Sequence, residues 1–101
     1  MILIFATFNT KKTALKIGKA LLKQRAIACY SLLNAESAWW WKGKIIDDKG
    51  PLMILKTRDP NFTKVESYIN KHSGYEVPEI IAVQPSKVNA PYLKWINSET
   101  K

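Results

Sequence analysis

The sequence predicts an α+β domain of the ferredoxin-like, split βαβ type with one helix added at its C-terminal end. Three observations carry that expectation. Apolar, β-branched runs alternate with amphipathic segments in the order strand, helix, strand, strand, helix, strand, helix. The 101 residues suit a single domain, 1–101, able to bury a core of modest margin. Three consecutive tryptophans, Trp39-Trp40-Trp41, run into Lys42-Gly43-Lys44-Ile45-Ile46, a pattern that marks a long hairpin.

Each element has its own local reason. Ile2 to Phe8 is almost wholly apolar and suits a central strand covered on both faces. Asn9 or Thr10 caps a helix reaching about Arg25, with Ala14, Leu15, Ile17, Gly18, Leu21 and Leu22 inward. Lys12, Lys16, Lys19 and Lys23 take its wet side. Ala26 to Trp41 reads as the second strand, and Lys42-Gly43 returns it as a third that ends at Lys56-Thr57. Asp47-Asp48-Lys49-Gly50-Pro51 interrupts that return, since proline cannot donate to a ladder, and predicts a bulge, a bend or an edge.

Asp59-Pro60 reads as a helix start, an N-cap carboxylate followed by proline at the first helical position. That helix runs to about His72, with Phe62, Val65 and Ile69 inward and Gly74 to end it. Val77 to Gln84 is the fourth strand. Asn89 caps a last helix carrying Tyr92, Leu93, Trp95 and Ile96.

The tryptophans set the assembly. Successive strand side chains point to opposite faces, so three adjacent indoles cannot all enter one subunit's core. Either Trp40 points inward with Trp39 and Trp41 outward, or the reverse. Each buried indole removes ~150–250 Å² from water, and the leftover face forms an apolar patch too large for a small monomer to leave open. A partner covering it is the economical solution. The sequence predicts an oligomer assembled through Trp39, Trp40, Trp41 and Ile45.

Composition narrows the function classes. Sixteen basic residues against eight acidic ones give a formal net charge of +8, which raises the question of nucleic acid. The lysines are spread along the chain, however, and only Arg25 and Arg58 supply guanidinium groups, the ones suited to bidentate phosphate and base contacts. A lysine-rich solvated surface is favoured over a nucleic-acid footprint. The apolar run Met1 to Ala6 lacks a basic segment ahead of it and turns polar at Asn9, as a strand does and a signal peptide or membrane span does not. Cys29 stands alone, which excludes an internal disulfide, fits a reducing compartment and leads us to expect a cytoplasmic protein.

Five ordered blocks then carry a likeness. Arg25-Ala26-Ile27-Ala28-Cys29, Trp40-Trp41-Lys42-Gly43-Lys44-Ile45, Ile54-Leu55-Lys56-Thr57, Tyr75-Glu76-Val77-Pro78-Glu79-Ile80 and Tyr92-Leu93-Lys94-Trp95 resemble the CutA divalent-cation tolerance family, in register over essentially the whole chain. The resemblance implies a tight homotrimer with long hairpins exchanged around a threefold axis. It also implies a non-catalytic role in tolerance of divalent metals, copper(II) foremost, with no metal required for folding. Trimers of this family resemble those of the P-II signalling proteins, which bind nucleotides and small metabolites between subunits. Where some family members place a first-strand cysteine and a histidine pair as copper ligands, this chain has Ala6, His72 and Ser73, with Gly74 before the tyrosine.

The metal candidates are therefore Cys29, His72 and Glu76, each beside a plainer reading. A thiolate suits soft metals, yet a strand cysteine flanked by Ile27, Ala28 and Tyr30 packs readily as a small hydrophobe. His72 is the sole histidine and also suits the helix C-terminus, where a cation meets the helix dipole favourably. Glu76 and Glu79 lie three residues apart on an extended segment and face opposite sides, so a shared site within one subunit is not expected. For the rival P-II-like reading, a small anion held between subunits, Tyr75, Lys56 and Arg58 are the candidate contacts. No nucleophile elbow, His–acid motif or glycine-rich phosphate loop is present in the sequence, and no catalytic residue is assigned.

Overall fold

The computed structural model describes residues 1–101. Its elements are β1 (Ile2–Thr7), α1 (Lys11–Lys23), β2 (Cys29–Trp41), β3 (Lys44–Thr57), α2 (Phe62–His72), β4 (Ile80–Val83) and α3 (Ala90–Glu99). The four strands form one antiparallel sheet in the order β2-β3-β1-β4, the split βαβ arrangement that the sequence predicts.

Alternation sorts the sheet into two faces. Ile2, Ile4 and Ala6 of β1 lie opposite Thr57, Leu55 and Met53 of β3, and all six are buried. Ala14, Ile17 and Leu21 of α1 and Val65 and Ile69 of α2 complete that core. Both helices thus cover one face, with Lys12, Lys16, Lys19 and Lys23 on the exposed flank of α1. Thr10 caps α1 by accepting a hydrogen bond at its hydroxyl from the Thr13 N–H (3.1 Å).

The other face carries Leu3, Phe5, Leu33, Leu52, Ile54, Ile81 and Val83. α3 meets it at the corner of Cys29 and Lys56, through Tyr92. Leu33, Ile81 and Val83 remain exposed.

The hairpin runs straight past the helices. Its turn, Lys42-Gly43, has positive φ at both residues (50° and 81°), the backbone of a type I′ turn, which glycine and few other residues adopt easily. Beyond the Asn34–Pro51 pair none of residues 35–50 is buried, and the arm accounts for the molecule's 45 Å long dimension.

Four sequence expectations are corrected. The third strand is not interrupted at Gly50-Pro51: one register holds from Cys29–Lys56 to Trp41–Lys44 with no bulge, and of the bulge, bend or edge expected there only the edge is found. Pro51 is tolerated because its carbonyl accepts from the Phe8 N–H (3.1 Å), which places its missing donor on the β1 side, just where β1 ends. No bond to β2 is lost. Gly50 beside it sits in a tight spot, since a Cβ there would lie 3.0 Å from the Phe8 carbonyl oxygen.

Asp59 is not the cap of an α-helix. Asp59–Asn61 is a 3-10 turn, and Asn61 takes the cap position of α2 without a side-chain cap bond. Its amide is drawn into the core instead, donating to the Ala26 carbonyl and the Thr57 hydroxyl (3.1 Å each), while Thr57 donates to Ala26 (2.6 Å). The second strand begins at Cys29 rather than Ala26, because α1 stops at Lys23 and Arg25 turns left-handed (φ 59°). The Arg25 carbonyl accepts from the Lys101 N–H, and its guanidinium holds the Glu99 carboxylate at 2.6 Å. The fourth strand is four residues long, since β1 offers it partners only from Leu3 to Ala6 and Pro78 has no N–H to pair.

Candidate functional site

Two features stand out at the arm: its bare tryptophans and the cleft at its root. Trp40 lies on the helix-facing side but beyond reach of either helix, and is 72 % exposed. Trp39 and Trp41 lie on the opposite side, 40 % and 38 % exposed. No subunit surface buries any of the three. Ile45, the cross-strand partner of Trp40, is exposed with it, and Lys42 places its ammonium 5.7 Å from the Trp41 ring.

Between the arm's root and the segment Tyr75 to Glu79 lies a cleft of about 870 Å³. Trp39, Trp41 and Tyr75 give it aromatic walls, and Asp48, Glu76 and Glu79 are its charged groups, with no lysine or arginine among its lining. Burial, then the negative charge of Asp48, pushes the Tyr75 phenol above its ordinary 10. Tyr75 is oriented by its own N–H, which donates to the Ser73 hydroxyl (3.3 Å) just after the left-handed Gly74 ends α2.

The remaining candidates stand elsewhere. Cys29 sits at the opposite end of β2 from the tryptophans, half-buried, with Sγ 3.4 Å from Tyr92 Oη; either group can donate. Lys56, its cross-strand partner, lies 5.7 Å from the same tyrosine ring. The contact with Cys29 and, after it, burial raise the Tyr92 phenol, against an opposing pull from Lys56. His72 is exposed at the end of α2, its ring 4.2 Å from Tyr68. Arg58 Nε donates to the Thr100 hydroxyl (2.9 Å), tying the C-terminal segment to the end of β3.

The structure therefore brings Tyr75 and Glu76 together at one cleft and leaves Cys29, His72, Lys56 and Arg58 apart from it; Glu79 lines the same cleft, against the expectation that it would face away from Glu76, because the segment is irregular rather than a strand. No three of its His, Cys, Asp and Glu side chains converge within the subunit. Sequence reasoning passed over Asp48 as a neighbour of Tyr75 and Tyr92 as a neighbour of Cys29. Both contacts join segments at least 27 residues apart, and no local pattern announces them.

A family model described as CutA1 divalent ion tolerance protein matches residues 2–99. The chain belongs to the CutA1 family. Its similarity to the divalent-cation tolerance protein CutA of Pyrococcus horikoshii is 42 % identity over 101 residues, 100 % of this chain and 99 % of that one. The crystal structure of that organism's CutA1 superposes with a TM-score of 0.95, covering 100 % of this chain and 99 % of the other. A structure described as the periplasmic divalent cation tolerance protein CutA from Archaeoglobus fulgidus matches at TM-score 0.96 and 29 % identity over the whole of both chains. The PII-like protein CutA from Nostoc matches at TM-score 0.92 but 18 % identity, covering 100 % and 98 %, and shows a shared fold alone. No helix is long and apolar enough to cross a membrane.

Proposed function

We propose that this CutA1-family protein works in divalent-ion tolerance as a non-catalytic, cytoplasmic homotrimer that binds copper(II) or another divalent cation. The observation that carries the assembly is the uncovered sheet face continuous with the tryptophan arm. Leu33, Ile81 and Val83 lie exposed on that face, and Trp39 and Trp41 extend it onto the arm. An apolar surface of this extent is a docking surface between copies rather than a solvated one. Cys29, His72 and Glu76 do not converge as a set within a subunit, so a site using all three has to be completed by a neighbouring copy. The single free thiol supports a reducing compartment.

The P-II-like alternative has less support. Tyr75 faces Asp48, Glu76 and Glu79, while Lys56 and Arg58 are engaged elsewhere, so the cleft lacks the positive charge that a small anion needs. Two measurements test the proposal. Native mass spectrometry should give three chains per particle. Calorimetric titration of metal-stripped protein with Cu²⁺ under inert gas should give saturable binding near one site per subunit, lost in His72→Ala and accompanied by proton release. A flat titration would remove the metal from the reading while leaving the trimer standing.

A further inference from the structure

The wet side of α1 concentrates charge of one sign. Helix α1 carries five lysines and no carboxylate. At 3.6 residues per turn, Lys12, Lys16, Lys19 and Lys23 fall within about 60° of one another and form a straight stripe about 16 Å long. All four are exposed, and neither ion pair of the subunit, Arg25–Glu99 and Lys49–Glu36, involves them. Like charges three and four residues apart destabilise a helix, so the stripe is a cost that the isolated subunit bears without a partner. Five of the eight carboxylates, Glu36, Asp47, Asp48, Glu76 and Glu79, lie instead on the arm and at its cleft.

The stripe continues into a second basic feature. A shallow depression of about 570 Å³ begins at Gln24, one residue past Lys23, and crosses to α2. Its lining is Gln24, Pro60, Thr63, Lys64, Ser67, Tyr68 and Lys71, which supplies two more ammonium groups, three hydroxyls and no carboxylate. The helix layer faces away from the sheet, so covering the apolar face leaves it free.

We propose that the outer face of α1, together with the Lys64–Lys71 side of α2, binds the phosphate backbone of a double-stranded nucleic acid. Charge complementarity selects a polyanion. The stripe has no large apolar side chain to insert among acyl chains, which separates it from membrane-surface helices. The α1 stripe has no aromatic side chain on which unpaired bases could stack, and the one aromatic of the adjoining depression, Tyr68, already packs against the His72 ring (centroids 4.2 Å apart), which separates the surface from single-strand binders. It has lysine and no arginine, which suits phosphate neutralisation without base reading. Binding is accordingly independent of base sequence and strongly salt-dependent.

Fluorescence anisotropy of a labelled, mixed-sequence DNA duplex with the intact protein tests this. Four phosphates neutralised by the stripe give a slope of about −3.6 in log K against log salt, so a fourfold rise in salt weakens binding about a hundredfold. The variant Lys12→Gln/Lys16→Gln/Lys19→Gln/Lys23→Gln should lose that share of the slope. Lys44→Gln/Lys49→Gln/Lys87→Gln/Lys94→Gln, which removes equal charge elsewhere, should keep it. Both alter exposed side chains, and circular dichroism checks that each is folded. Equal loss in the two variants would reduce the effect to net charge and overturn the proposal. So would absence of duplex binding at low salt, or stripe-dependent binding to phosphatidylserine vesicles without binding to duplex.

Discussion

One unbroken ladder of pairs joins β2 to β3, yet its two halves live in different surroundings. At the root, Tyr30, Leu32, Met53 and Leu55 pack under α1 and α2 and belong to the core or lie against it. Along the arm, Trp39, Trp40, Trp41 and Ile45 are larger or equally apolar and remain exposed. Hydrogen bonding is the same in both halves; only what covers the side chains differs. Backbone pairing extends as far as the register allows, whereas burial stops where the helices stop. The root is stabilised within the subunit, and the arm needs another chain to give its indoles anywhere to go.

That contrast can be broken or sharpened by four measurements. Leu55→Ala removes a fully buried core side chain and should destabilise the subunit by about 2–5 kcal/mol in denaturant unfolding, whatever the assembly state. Trp39→Ala/Trp41→Ala should weaken assembly by about 2 kcal/mol or more per central indole, read as a shift of native mass toward single chains. An unchanged mass and melting temperature in that double variant would show that the arm has no partner. Gly50→Ala forces a methyl group against the Phe8 carbonyl at the boundary between root and arm, and should cost about 1–3 kcal/mol.

The smallest effect concerns Tyr75, beneath the arm. Its phenol is raised above 10 in the folded state, so the folded protein holds that proton where the unfolded chain has lost it. The resulting stability is complete below about pH 10 and declines as pH rises through the folded value. Tyr75→Phe should flatten this alkaline decline. Spectroscopic titration of the tyrosinate should show the same raised midpoint, moving higher still if a neighbouring copy closes the cleft.

Much of the fold is legible in the chain. The helix stripes, the Thr10 cap, the Lys42-Gly43 turn and the order of elements each follow from residues close together in sequence, where local sterics and periodicity dominate. The misread points share a different cause. Gly50-Pro51 looks like a strand break until the end of β1 places the missing donor at an edge. Asp59-Pro60 looks like a helix cap until Thr57 and Ala26 draw Asn61 into the core. The site is less legible than the fold. Tyr75 and Glu76 could be named from their block, but the aromatic, carboxylate-rimmed cleft depends on Asp48 and Trp39 arriving from the hairpin.

By itself the sequence determined the α+β class, the long hairpin, the family and the presence of more tryptophan than one subunit can bury. These rest on alternation and short-range pattern, which need no knowledge of distant neighbours. Only the tertiary structure decided which face stays open, which side chains meet at the cleft, and that the depression lined by Lys64 and Lys71 adjoins the lysine stripe of α1. Such outcomes depend on packing between remote segments, because burial and charge density are properties of surfaces and a surface exists only once the chain has folded.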